Sequence, residues 1–374
     1  MRFRWRGQRC PGPPELLAAA LAAALGCAGS PGPAARPDPP AAAPSSPLAA
    51  RPPLAPTGAP SAGAGPRVQP AAASGAGASA GEQFPGSRFP PPGFEPMHAR
   101  TAQPGDGVWA AVPEVPEAGG QAVYKSTLHP DPIKRWVFVD LVAFDRALVD
   151  LHLAAGTDEP ESKSVPRERR TGLVPEQEWP DLLVVFNGGF KAEHGGYGMR
   201  LGDDRYVPPR DDACALVFHP GRRLRLASWM RLAAEEKDML AYRQTPACLI
   251  EQGQLEPRLR TEFRTRRWGS AKGGALDIRR SAIGLDATGR TLFYAFGDWV
   301  SAKMLAEALA RAGVADAAEL DINWSFTHFF FFEHPPGAPP RIRSSLVSKA
   351  EYSADRYTTK PSARDFFYVV RRKQ

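Results

Sequence analysis

The residue pattern predicts an α+β domain, with a mixed, largely antiparallel β-sheet core and inserted helices, preceded by a disordered Pro/Ala-rich spacer. Three observations carry this. Of the 40 prolines, 24 fall in the first 120 residues and 16 in the remainder, and no lysine occurs before Lys125. Only the later part therefore has the composition of a globular domain. Within it, short runs of β-branched and aromatic residues are bounded by Gly, Pro or Asp, as strands are. Helical signals interrupt these runs without the regular strand–helix alternation of a parallel sheet.

The chain opens with Arg2, Arg4, Arg6 and Arg9, followed by an apolar run from Leu16 to Leu25. That run is too short to span a bilayer and suits the core of a secretory signal. Ala24-Leu25-Gly26-Cys27 resembles a bacterial lipobox, in which Cys27 would be acylated; ordinary cleavage near Ala28 is the alternative. Residues 1–27 are thus read as a signal peptide, and the protein as exported, either as a membrane-anchored lipoprotein or in periplasmic or secreted form. Residues 28–120 are Pro, Ala, Gly and Ser with almost no branched apolar side chains. Such a segment cannot bury enough surface to offset its ordering entropy, so it reads as a disordered, semi-stiff linker. Residues 121–374 form the folded domain.

Four arginines and Glu15 lie in residues 1–26, so the formal charge of +7 falls to +4 without them. No Lys/Arg stripe with interleaved aromatics appears, which argues against nucleic acid as a partner. No run of about 20 apolar residues follows residue 30, which excludes a polytopic membrane protein. No obligate protein partner is evident.

Strands are predicted at 135–142, 182–186, 213–218, 247–250, 281–285, 291–296 and 366–370, with Phe329 to Phe332 as a further buried run. Asp286-Ala-Thr-Gly289 joins two of them as a hairpin. Ser301 caps a helix whose apolar stripe is Met304, Leu305, Ala308, Leu309 and Ala312, and Gly313 stops it. A second helix is expected over 231–242. Cys214 and Cys248 are either a disulfide, which export permits, or two buried thiols.

Three strand-end features carry chemistry. Leu182-Leu-Val-Val-Phe186 is a buried strand that runs into Asn187-Gly188-Gly189, where glycines let the backbone approach a ligand and aim N–H groups at it. Asn187 adds an amide that both donates and accepts. Asp321 lies at the end of a strand after the helix, where restricted solvation fits a catalytic carboxylate. Arg279 and Arg280 precede a strand, and one planar fork there suits a phosphate. Glu193 and His194 follow the Gly-Gly loop, either as a second acid/base or as an exposed turn. His328, among phenylalanines, reads as a core group. No His/Cys/Asp cluster has metal-ligand spacing and no nucleotide phosphate loop is present, so neither metal nor cofactor is expected.

Taken in order, these elements resemble the phosphodiester glycosidase domain family. The resemblance rests on Asn187-Gly-Gly-Phe190, Pro246-Ala-Cys-Leu-Ile-Glu-Gln-Gly253, Arg280-Ser-Ala-Ile-Gly284 with its hairpin, and Leu320-Asp321, and covers residues 120–370. The family's Leu-Asp-Gly-Gly-Gly-Ser stands here as Leu320-Asp-Ile-Asn-Trp-Ser325. Asp321 and Ser325 keep their places, while Trp324 either fills substrate space or offers a sugar-stacking face.

The resemblance implies an exported hydrolase that cleaves a sugar-1-phosphodiester at its C1–O bond, with a glycan or sugar-phosphate as partner. A catalytically degenerate glycan-binding lipoprotein is the alternative. Asp321 would stabilise the cationic sugar; Arg280 and the N–H groups of Gly188 and Gly189 would hold the phosphate. Asn187 would orient, and Ser325, Asn323, Trp324, Glu193 and His194 would contact substrate.

Overall fold

The computed structural model describes residues 84–117, 119–261 and 266–373. The signal segment, Cys27 and residues 28–83 of the expected linker lie outside the described residues. Three antiparallel sheets form the framework. The largest has eight strands, and its centre is the hairpin Ile278–Asp286/Thr291–Val300, flanked by Val139–Asp145 and Val314–Glu319. A five-stranded sheet runs Arg341–Ser345, Phe329–Glu333, Leu182–Asn187, Phe366–Arg371, Val149–Ala154. The third, also five-stranded, runs Asp204–Val207, Met199–Leu201, Ala241–Thr245, Cys214–Phe218, Leu224–Ser228. The α+β, largely antiparallel expectation holds.

Alternation along the strands divides the core. Ile283, Leu285, Tyr294 and Phe296 on one face of the large sheet meet Val184, Phe186, Phe329, Phe367 and Val369 of the first five-stranded sheet. Ala282, Phe293 and Ala295 on the opposite face pack beneath the helix Ala302–Arg311 through Leu305, Ala306 and Leu309. That helix begins as its sequence dictates: Ser301 Oγ accepts from Met304 N at 3.1 Å, and Gly313 ends it with φ +89°. The hairpin turn closes through Gly289 N donating to Asp286 O at 3.1 Å. Cys214 and Cys248 are joined as a disulfide, with their Cα atoms 4.8 Å apart.

Several expectations are corrected. The folded region reaches back well before residue 121. Phe89 packs on Tyr124 with ring centroids 5.5 Å apart, Trp109 on Phe293 at 6.1 Å, and Ala110–Ala111 pairs with Val123–Leu128. A proline-rich average hid the few aromatics that anchor this segment. The helix expected over 231–242 is one α-turn, Trp229–Leu232, then a 3-10 segment, Ala233–Asp238, and the strand Ala241–Thr245. Tyr242 and Arg243 are both buried, and pairing with Cys214–Phe218 outweighs local helix preference there. The strand expected at 135–142 begins only at Val139, and that at 247–250 is reduced to Ile250–Glu251.

Candidate functional site

The strand Leu182–Asn187 is buried along its whole length and delivers Asn187 to the end of its sheet. Its carbonyl Oδ1 accepts from His328 N and Tyr294 OH, each at 3.2 Å. Its Nδ2 donates to Ser281 Oγ at 3.0 Å, and the Ser281 hydroxyl donates to Asp321 O at 2.8 Å. Asp321 N donates to Gly188 O at 3.0 Å. Asn187 and Asp321, 134 positions apart in the chain, are therefore held together through Ser281 and the glycine backbone.

The Asp321 carboxylate is 4% exposed as a residue. Oδ1 accepts from Ile322 N at 2.8 Å, and Oδ2 accepts from Nη2 of Arg364. Burial pushes its pKa up to about 6, with Arg364 opposing that rise. Arg364 Nη2 also donates to Gly189 O at 3.2 Å, and its guanidinium lies 4.4 Å over the Phe326 ring. Its Nε and Nη1 have no hydrogen-bond partner among the described residues.

Beside this pair opens a cleft of about 370 Å³, walled by Lys191, Ser325, His328, Arg356, Arg364 and Asp158 among others. His328 stacks on Phe330 at 5.4 Å. Burial, with Arg356, Arg279 and Arg364 nearby, drives its pKa down to about 3, so the imidazole is neutral at ordinary pH. The cleft lining carries both signs: Lys191, Arg356 and Arg364 against Asp158, Glu159 and Asp365, of which Asp365 is paired with Arg243 and Asp158 with Arg167.

Arg280 does not join this constellation. Adjacent residues of a strand face opposite sides of the sheet, so Ser281 turns to Asn187 while Arg280 turns to the helix-covered side. There it pairs with Glu319 Oε1 at 2.6 Å and donates to the carbonyls of Val300, Trp268, Gly269 and Leu276. The expectation that it clamps phosphate is corrected, because its fork is fully spent inside the protein. Arg364, two residues before the last strand, is the cation that meets Asp321.

The glycines also serve a different end. Gly188 N donates to Asp365 O at 3.0 Å and Gly189 N to Asp365 Oδ2 at 2.9 Å, so neither N–H points at a ligand. Asp365 in turn pairs with Arg243 Nε at 2.8 Å, both side chains fully buried. A Cβ on Gly189 would stand 2.7 Å from Arg243 Cζ. These residues are glycines because the buried ion pair presses against the backbone.

Glu193 and His194 lie on an exposed turn, Glu193 paired with Lys191 at 3.3 Å, and neither lines the cleft. Ser325 does line it. Asn323 takes φ +76°, the left-handed conformation that Asn tolerates better than most residues. Ile322 keeps an ordinary φ and packs with Phe190 and Ile278. Trp324 is 47% exposed and covers Arg279, with its ring centroid 3.7 Å from Cζ. Among the described residues no three His, Cys, Asp or Glu side chains are grouped to hold a metal, and no helix is long and apolar enough to cross a membrane.

No family model and no curated protein matches the chain. Among solved structures it is similar to the catalytic domain of zebrafish N-acetylglucosamine-1-phosphodiester alpha-N-acetylglucosaminidase auto-inhibited by its pro-peptide. That match has 14% identity over 69% of this chain and 91% of the other, with a TM-score of 0.39. A hypothetical protein from Synechocystis matches at 10% identity over 68% and 63% of the two chains, TM-score 0.41. A Burkholderia pseudomallei protein described as exported matches at 12% identity over 63% and 74%, TM-score 0.27. Likenesses at this level assign neither family nor activity.

Proposed function

We propose that the domain is an exported phosphodiester glycosidase, hydrolysing the C1–O bond of a sugar-1-phosphodiester in an envelope or extracellular glycan. The observation that carries this reading is the Asp321–Arg364 pair, held on the Asn187–Ser281 frame beside a cleft into which Lys191, Arg356 and Arg364 face. Water adds to C1, the C1–O bond breaks, and the phosphate monoester leaves with the bonding electron pair. A phosphate is a good leaving group, so the demands are stabilising the sugar cation and the phosphate charge. Asp321 serves the first. Arg364, Arg356 and Lys191 serve the second. A substrate phosphate competes with Asp321 for Arg364, and drawing that arginine away uncovers the carboxylate.

A second reading, glycan binding without cleavage, is favoured by one observation: both Asp321 oxygens are already occupied and the residue is 4% exposed. Incubating the protein with a panel of sugar-1-phosphate diesters separates the two. Release of free sugar with phosphomonoester supports hydrolysis, and saturable binding without release supports the second reading. Failure to bind any member defeats both.

Export, with a lipid anchor at Cys27, belongs to the same proposal and is supported by the basic and apolar start of the chain. Cys27→Ser should shift the protein from the membrane to the soluble fraction. Unchanged partitioning removes the anchor and leaves export standing.

A further inference from the structure

Among the described residues the aromatic side chains standing well out in solvent are Trp136, Trp299, Trp324 and Tyr352, at 58%, 50%, 47% and 39% exposure. They are not scattered. Trp136 and Trp299 meet edge to face at 6.2 Å. Trp324 covers Arg279, whose Nε and Nη2 fork onto Asp298 at 2.6 and 2.8 Å, and Asp298 directly precedes Trp299. Arg279 Nη2 also donates to Ser348 O at 3.0 Å, and Tyr352, four positions further on, rests on Phe330 at 4.7 Å. Phe330 is the ring that stacks on His328 in the cleft. Phe330 is buried, and the surface link to the cleft is Trp324, which directly precedes the cleft-lining Ser325; from there the strip passes Asp298 to Trp299 and Trp136.

The backbone is bent to make this strip. Ile278 pairs with Val300 and Arg280 with Gly297, so Asp298 and Trp299 together stand opposite the single residue Arg279. This is a β-bulge, a device that re-aims side chains near binding sites. Trp299 has φ +60°, a conformation a bulky side chain adopts only at a cost and glycine adopts freely. An indole held out at that cost gains nothing from core burial. Strain of this kind collects where a ligand is met, and apolar rings gathered on a surface mark an interaction site where single ones do not.

The chemistry of the strip selects its occupant. A lipid surface would have to strip water from the exposed Ser348 hydroxyl, which donates to Asp298 at 3.3 Å beside the rings, and from the open edge of that carboxylate. A sugar presents an apolar C–H face to an indole and a hydroxyl edge to a carboxylate or hydroxyl such as those of Asp298 and Ser348. We propose that this strip is a glycan-binding subsite that holds an oligosaccharide of several residues alongside the cleft, so that the ligand is a polymer chain and not a small sugar phosphate. The proposal rests on the glycan reading of the cleft.

Binding of β-1,4-linked glucose and N-acetylglucosamine hexasaccharides and of alginate, against their monosaccharides, tests this by tryptophan fluorescence and affinity electrophoresis. At least one polymer should bind roughly tenfold or more tightly than its monosaccharide. Trp136→Ala and Trp299→Gly should each weaken that binding about tenfold. Trp299→Gly also relieves the backbone, so it should melt no lower than the parent, which separates loss of a ligand contact from loss of fold. Equal binding by variant and parent overturns the proposal, as does absence of binding to every polymer. Turnover of short sugar-1-phosphate diesters by the same variants reports on the cleft independently: unchanged turnover with no polymer binding removes the subsite and leaves the hydrolase.

Discussion

Arg364 donates to Asp321 across 43 positions of sequence, and the bond ties the turn leading into the last strand to the end of another sheet. Asp321→Asn keeps the volume and removes the charge. Turnover of a sugar-1-phosphate diester should fall by roughly 10²- to 10³-fold, with the circular dichroism spectrum unchanged. Full activity in this variant removes Asp321 from the chemistry.

The same pair fixes a pH dependence. Asp321 must be ionised to stabilise a sugar cation, so kcat/KM should rise through about pH 6, where burial has placed its pKa. Arg364 opposes that rise in pKa. In Arg364→Gln the ascending limb should move to higher pH, by about one unit. A limb that stays in place would show that another group titrates.

His328 predicts a pH effect on stability with the same sense as a salt-bridged acid. Its folded pKa, about 3, lies below the unfolded value near 6.5, so between those values the unfolded chain binds more protons. Stability should therefore fall as pH drops from about 6.5 towards 3. Asp321, whose pKa is raised, works against this: its contribution is fully present at low pH and lost as pH rises through 6. Urea unfolding of His328→Gln across this range should show a shallower acid loss than the parent. Parallel curves would mean the imidazole is solvated.

Arg243→Met leaves Asp365 buried and unpaired, and should cost about 3–5 kcal/mol. Arg280→Lys should likewise lower the urea midpoint and leave KM for the diester unchanged, because its fork holds the interior together. A raised KM with unaltered stability would restore Arg280 to the ligand site. Reduction of Cys214–Cys248, which closes a separation of 34 residues, should cost about 3–4 kcal/mol.

Much of the site was legible because polar residues directly after buried runs stand at strand ends. Asn187 and Asp321 stand out that way, while the helix between Ser301 and Gly313 is marked by its cap, apolar stripe and terminal glycine. Alternation assigns Arg279 and Arg280 to opposite faces, but the sequence does not mark which face carries the site, so Arg280 was misplaced. Arg364 and Asp365 were missed altogether. Their signal was the same as that of Asn187, charged groups beside a buried strand, and Phe366 is the residue that pairs with Asn187. Nothing local distinguished them from a surface turn. The aromatic anchors before residue 120 escape for a different reason, since an average over a long proline-rich stretch outweighs two well-placed rings, Phe89 and Trp109.

The placement of Phe366–Arg371 between Leu182–Asn187 and Val149–Ala154 has a consequence for biogenesis. Two strands made early in synthesis cannot be bridged until the ribosome has delivered residues nearly two hundred positions later. Closing such distant pairings is slow, and until then both early strands present unsatisfied edges. A nascent chain of this design keeps this sheet incomplete until its last strand is made. Arg364 and Asp365 emerge with that strand, so the cleft takes shape only when the sheet does, and an unfinished chain has no site with which to bind a ligand.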